Sequence, residues 1–307
     1  MSTATDQVRT ELIAVIVAVT DDEPRVLTIE DACALPSGPF QTTDRSLQAS
    51  LRTWVERQTH HPLGYMEQLY TFADRDRMGD GRQAISISYL GLTREALSVA
   101  HGTGAWVSWY RYFPWEEQRQ GGDMVRKEIA PLLKAWAARA PERSLLALRQ
   151  QRVATVFGDA NHPWNEELVL QRYELLWEAG LVPEARATMK DTTGPALGQF
   201  MHSDNRRILA TGIARLRAKI KYRPVIFELM PGAFTLLQLQ RTVEAIVGRL
   251  LHKQNFRRMI EQQNLIEDTG ESTTETGGRP AKLFRYKREV VLERAAMGSK
   301  LPLARAR

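Results

Sequence analysis

The sequence predicts an α+β fold in two unlike parts. Three observations carry that prediction. Residues 12–92 alternate short apolar, strand-like runs with one amphipathic helix; three stretches between 121 and 220 have helical periodicity; and residues 234–286 give two helices followed by two strand-like runs. The last order is that of a winged helix-turn-helix.

Leu12 to Val19 and Arg25 to Thr28 read as paired strands around the acidic turn Asp21 to Pro24. A helix is expected from about Ser46 to Gln58, with Leu47, Leu51, Trp54 and Val55 at helical spacing and Pro62 and Gly64 beyond its end. Met66 to Phe72 and Ala84 to Leu92 follow as strands, separated by the charged loop Asp74 to Gln83. Gly121 to Arg152 reads helical, with Pro131 in a first turn or at a kink. Asn165 to Ala179 is a helix stopped at Gly180, and Asp191 to Gly198 is a polar linker. The helix from Asp204 to Ile220 carries Leu209, Ile213, Leu216 and Ile220 on one stripe, and Arg206, Arg215, Arg217 and Lys219 are expected off it.

The C-terminal signals are the sharpest. Thr235 and Gln238 form a Thr-x-x-Gln capping box, with Phe234 and Leu239 at the staple positions, so a helix begins here. Leu236, Leu239, Val243 and Ile246 continue it, and Gly248 stands where a left-handed stop is needed. His252 to Gln262 then places Phe256, Met259 and Ile260 on one side and Gln254, Arg257 and Arg258 opposite, flanked by Lys253 and Asn255. Leu265 to Thr269 and Lys282 to Tyr286 make a hairpin whose long tip holds Gly270, Gly277, Gly278 and Arg279. Arg, Lys, Asn and Gln match the donors and acceptors of base edges in a major groove, and wing cations suit phosphates. The expected DNA contacts are Thr235, Gln238, Lys253, Gln254, Asn255, Arg257, Arg258, Arg279 and Lys282; a protein-binding winged helix is the alternative.

Charge agrees with that placement. The chain has 307 residues, enough for about two domains, and a net charge of +6. Residues 221–307 hold 16 Lys/Arg against 9 Asp/Glu, so the positive field lies in the C-terminal part. Cys33 is the only cysteine, which excludes an internal disulfide framework or a cysteine-rich zinc site and fits a reducing, cytoplasmic setting. The apolar run Leu12 to Val19 is too short to span a bilayer, so no membrane partner is expected. His60, His61 and His101 lack the carboxylate or cysteine pattern of a metal site, and Trp106, Trp109 and Trp115 are read as packing.

The N-terminal part resembles Nudix domains. Against the signature Gly-x5-Glu-x7-Arg-Glu-U-x-Glu-Glu-x-Gly the chain has Gly38, Asp44, Arg52, Thr53, Trp54, Glu56, Arg57 and Thr59. Two glutamates are missing, and Arg57 brings a cation to a carboxylate position, so metal-assisted hydrolysis is not expected. The block Glu67-Gln68-Leu69-Tyr70-Thr71-Phe72, with Arg77, Arg82 and Ile85-Ser86-Ile87-Ser88-Tyr89-Leu90, resembles Nudix-related transcription regulators of NAD metabolism. Lys221-Tyr222-Arg223-Pro224, Asn255-Phe256-Arg257-Arg258 and Gly278-Arg279-Pro280-Ala281 agree with it, while Phe113-Pro114-Trp115-Glu116 and Trp164-Asn165-Glu166-Glu167 resemble the longer alphaproteobacterial branch.

The resemblance implies a Nudix-like α/β/α sandwich over residues 1–200 with a helical insertion at about 115–185. A linker helix at 201–222, a winged helix at 223–295 and a frayed basic tail at 296–307 complete it. It also implies a repressor of NAD biosynthesis genes with no cofactor or metal, acting on an operator duplex as a homodimer. Its effector would be NAD, ADP-ribose, ATP or nicotinamide mononucleotide, held by Arg52, Glu56, Gln68, Arg77, Arg82 and Tyr89. Arg77 and Arg82 have independent chemical appeal, since guanidinium groups grip phosphates in bidentate fashion. The alternative is a Nudix-type pyrophosphohydrolase of ADP-ribose or NAD.

Overall fold

The computed structural model describes residues 9–40, 45–61, 64–73, 84–95, 104–188, 195–274 and 280–287. Strands β1 (Arg9–Thr20) and β2 (Glu23–Thr28) form the expected hairpin, turned by Asp21 and Asp22, both at positive φ. After β3 (Ser37–Pro39) comes helix α1 (Leu47–Thr59), whose Ser46 side chain accepts from the Ala49 N–H. Strands β4 (Tyr65–Phe72), β5 (Ala84–Leu92) and β6 (Ala105–Ser108) complete a sheet of order β4-β5-β1-β2-β6, with β3 paired to β1. Among the described strands only β1 and β5 run parallel.

Strand β1 is covered on both faces, which is why its sequence is a continuous apolar run rather than an alternating one. Leu12, Ala14 and Ile16 pack toward α1, while Ile13, Val15 and Val17 join the larger core on the other side. The sequence reading missed β3 and β6, which are too short to show a period. The three tryptophans singled out earlier fall on or just after β6; Trp109 and Trp115 are fully buried, as packing demands.

The expected helical stretch from Gly121 is broken. A π-helical turn at Val125–Ile129 runs into α2 (Ala130–Ala138), with Pro131 in its first turn, where a missing N–H costs least. The chain then reverses at Pro141 into α3 (Arg143–Phe157). Helices α4 (Val169–Glu178) and α5 (Pro183–Thr188) follow, and Gly180 takes the positive φ expected of a stop.

Helix α6 (Asn205–Lys219) crosses the sheet, with Gly212 so close to Val15 that an added Cβ would lie 2.8 Å from its side chain. Arg206 and Arg217, expected off the apolar stripe, are nonetheless both fully buried. Helix α7 (Leu236–Val247), helix α8 (Lys253–Gln263) and the hairpin of β7 (Ile266–Thr273) and β8 (Ala281–Tyr286) form the winged helix. Its core continues into the sheet's: buried side chains run unbroken from Ile13 to Phe256 and Leu265. Among the described residues no helix is long and apolar enough to cross a membrane.

Candidate nucleic-acid interface and effector-sensing face

The winged helix is built from its caps inward. The Thr235 hydroxyl accepts from the Gln238 N–H at 3.1 Å, and the Gln238 side chain accepts from the Thr235 N–H at 2.7 Å. Thr235 is buried and committed to this cap, so it shapes the helix start and leaves the set of expected DNA contacts; Gln238 is exposed beside it. Gly248 ends α7 at φ +75°. The following turn is pinned by two buried polar residues that sequence reasoning passed over. Glu244 accepts from the Leu251 N–H at 2.8 Å and from Gln240, which also donates to the Leu251 carbonyl at 3.1 Å. Their four-residue spacing beside the Leu239 and Val243 stripe was the available signal.

Helix α8 is thereby held at a fixed angle with Phe256 as its one buried side chain. Lys253, Gln254, Asn255, Arg257 and Arg258 are all exposed, and the side chains of these five make no hydrogen bond or ion pair with a described residue. Met259, expected on the apolar side, is 54% exposed, because the stripe that contacts the domain is only as wide as Phe256 and Ile260. On a helix standing clear of its own protein, two arginines, a lysine and two amides remain available to a partner. Lys282, near the tip end of the hairpin, is exposed but pairs with Asp268 at 2.8 Å, so that end of the wing is closer to neutral than its cations suggest. Arg279 lies outside the described residues.

Of the residues expected to hold an effector, Gln68 and Tyr89 fall on the face of the sheet that α1 covers, and Arg52 and Glu56 lie on α1 itself. Gln68 and Tyr89 stand opposite each other in the β4–β5 register and so share a face; Tyr89 is buried there and Gln68 is exposed at the edge. Arg52, on α1, donates to the Gly64 carbonyl at 2.9 Å, just before β4. Glu56 is exposed one turn further along. Gly38 is required where it is because the Trp54 ring lies directly against it, with the indole N–H donating to the Pro39 carbonyl at 3.1 Å. The Arg57 guanidinium stands 5.2 Å from the same ring. Among the described box positions, Trp54 thus lies between Gly38 and Arg57, with Arg52 and the exposed Glu56 one turn apart beside it. Asp44, Arg77 and Arg82 lie outside the described residues. His61 is buried, with its Nε2 3.0 Å from the Thr93 hydroxyl and its ring edge-on to Trp106; burial lowers its pKa against the opposing pull of Glu95.

Comparison with known proteins gives the same division. Residues 226–286 match the family described as the NrtR DNA-binding winged helix domain. The ADPR responsive transcriptional repressor NtrR of Acinetobacter baylyi is 39% identical over 95 residues, 31% of this chain. The match spans 38% of that repressor's length. Among solved structures, Shewanella oneidensis NrtR complexed with a 27mer DNA aligns over 91% of this chain and 93% of its own, at 19% identity and a TM-score of 0.55. A MutT/nudix family protein from Enterococcus faecalis aligns over 94% and 89%, at 14% identity and a TM-score of 0.53. The fold is thus a Nudix-type sandwich joined to a winged helix, and the C-terminal domain is of the NrtR type.

Proposed function

We propose, taking the NrtR-type winged helix and the Nudix-type sandwich as premise, that this chain is a DNA-binding repressor whose sandwich senses a nucleotide. The observation that carries the reading is the solvent face of α8, where Lys253, Gln254, Asn255, Arg257 and Arg258 stand exposed beyond a single buried phenylalanine. With Gln238 at the start of α7 and Arg279 and Lys282 on the wing, they form the duplex-binding surface. Arg257 or Arg258 reads base edges, and the wing cations anchor phosphates. Division at about residues 200 and 222 separates sensor, connecting helix and reader.

The A. baylyi relative is named as ADPR responsive, so ADP-ribose is the first effector to try, ahead of NAD, ATP and nicotinamide mononucleotide. Its phosphates fall to Arg77 and Arg82, and its rings to the face carrying Arg52, Glu56, Gln68 and Tyr89. Regulation of NAD biosynthesis genes and action as a homodimer on inverted half-sites belong to the same reading. The Nudix fold also hosts hydrolases, yet fold does not fix chemistry. With Thr53 and Arg57 where carboxylates would be needed, the sandwich is a sensor and not an enzyme.

The test is fluorescence anisotropy with a labelled duplex at several salt concentrations, with and without ADP-ribose. Salt-sensitive binding that ADP-ribose alters is expected; salt-insensitive or absent binding defeats the proposal. Arg82→Ala should abolish the effect of ADP-ribose while leaving effector-free binding in place.

A further inference from the structure

The end of α7 is held by groups that do not belong to the reader. The Ala245 carbonyl accepts from the Tyr110 hydroxyl at 2.6 Å, the Ile246 carbonyl from Arg217 Nε at 2.8 Å, and the Gly248 carbonyl from the Gln118 N–H at 2.7 Å. Tyr110 and Gln118 lie in the segment that leaves β6, and burial pushes the Tyr110 pKa up to about 12, so its hydroxyl stays a donor. Gly248 itself is packed on the backbone of Glu116: an added Cβ would fall well inside contact distance of the Glu116 carbonyl oxygen.

Behind this contact lies a fully buried cluster. Glu116, Arg172 and Arg217 all have zero exposure. Arg172 grips both Glu116 oxygens, at 2.5 and 2.9 Å, and donates further to the Val156 and Asn165 carbonyls. Arg217 bonds one Glu116 oxygen and the Glu166 carbonyl, at 3.0 Å for the latter. Burial opposes ionisation of Glu116, but the two guanidinium groups outweigh it and hold its carboxyl below the usual range. One carboxylate therefore joins the β6 segment, α4 of the insertion, α6 and the end of α7. At the sensor end the same segment leaves strand β6 and is tied to the turn that follows β2, since the Tyr112 hydroxyl donates to the Ala32 carbonyl at 2.6 Å.

The geometry points to residues 109–118 as the strap that transmits the state of the sensor sheet to the α7–α8 turn, with Arg217 as the positioning residue that locks the turn to it. This rests on the reading of the chain as an effector-responsive DNA binder. A shift of the strap must carry Gly248 with it, and the next ordered contacts are the Glu244–Leu251 bond and the first turn of α8. Buried charge makes the joint all-or-none, because a half-broken cluster strands an ion without a partner.

Arg217→Met is the decisive variant, since it leaves Glu116 with its two-point Arg172 pair, whereas Glu116→Gln would strand two cations. We would measure hydrogen exchange of the full-length protein without ligands, then ADP-ribose and duplex affinities. In Arg217→Met, protection of amides 245–256 should fall by roughly tenfold or more while that of β1 is kept. ADP-ribose should still bind within roughly threefold, but its effect on duplex affinity should shrink toward none, and Arg217→Lys should be intermediate. If duplex affinity falls equally with and without ADP-ribose, Arg217 is merely structural and the proposal is overturned. Unchanged exchange overturns it too. Should the unaltered protein show no duplex binding or no ADP-ribose response, the proposed function fails separately, and the exchange result alone decides whether the joint exists.

Discussion

Replacing Gly248 with alanine should separate two costs that glycines usually confound. Gly248 and Gly270 both have positive φ, +75° and +80°, so each substitution places an L side chain in the left-handed region. That strain is about 1–2 kcal/mol, offset by about 0.4–1 kcal/mol because alanine restricts the unfolded chain. For Gly270, where a Cβ meets nothing within 4 Å, this is the whole effect, a net loss of about 1 kcal/mol. At Gly248 the Cβ meets the Glu116 backbone carbonyl, with the Tyr110 hydroxyl and Arg217 also within 3.1 Å. A backbone oxygen cannot rotate away, so an overpacking cost of about 1–3 kcal/mol is added. Gly248→Ala should thus cost about 2–4 kcal/mol in urea unfolding of the C-terminal domain, against about 1 for Gly270→Ala, at unchanged m-value. Equal losses at the two sites would show that α7 does not end against the Glu116 strap and would refute the packing described here.

Within the reading head, alanine at Arg257 or Arg258 should cost about 1–3 kcal/mol on a preferred duplex and far less on a scrambled one. Alanine at Lys282 should weaken both alike and lower the salt slope by about 0.9 per lost contact. Equal effects on both duplexes from all three would remove α8 from the groove. No magnesium-dependent release of AMP from ADP-ribose or NAD is expected above background, and robust turnover would overturn the sensor assignment. Because burial holds the His61 pKa below 6.5, the unfolded chain takes up this proton first as pH falls. Stability from His61 is therefore complete above pH 6.5 and lost as pH drops below it, so His61→Phe should flatten the melting-temperature profile between pH 7.5 and 5; an unchanged slope would contradict this. Sedimentation at micromolar concentration should show a dimer, and a monomer with and without duplex would count against paired half-sites.

The elements that were legible in the sequence carry local chemistry. The Thr235–Gln238 box, the Gly248 stop, the helix start near Ser46 and the acidic turn of the β1–β2 hairpin are decided by a few neighbouring residues, and the structure has each of them. What was not legible depends on distant partners. The burial of Arg172, Arg206 and Arg217 left no local mark, because charges are almost never buried unless paired and their partners, Glu116 and Glu184, are far away in sequence. Met259 erred in the opposite direction, since helical period cannot say how wide a stripe the domain will cover. The exposed, unpaired face of α8 was readable from period alone, whereas the grip on α7 by the β6 segment was not.

Selection from a pool of randomised duplexes, read by sequencing the protein-bound fraction with and without ADP-ribose, tests the account at its root. It predicts enrichment of one sequence built of two inverted half-sites about one helical turn apart, with a yield that changes when ADP-ribose is present. A bound fraction no different in sequence from the starting pool would contradict it, leaving the exposed face of α8 to a protein partner.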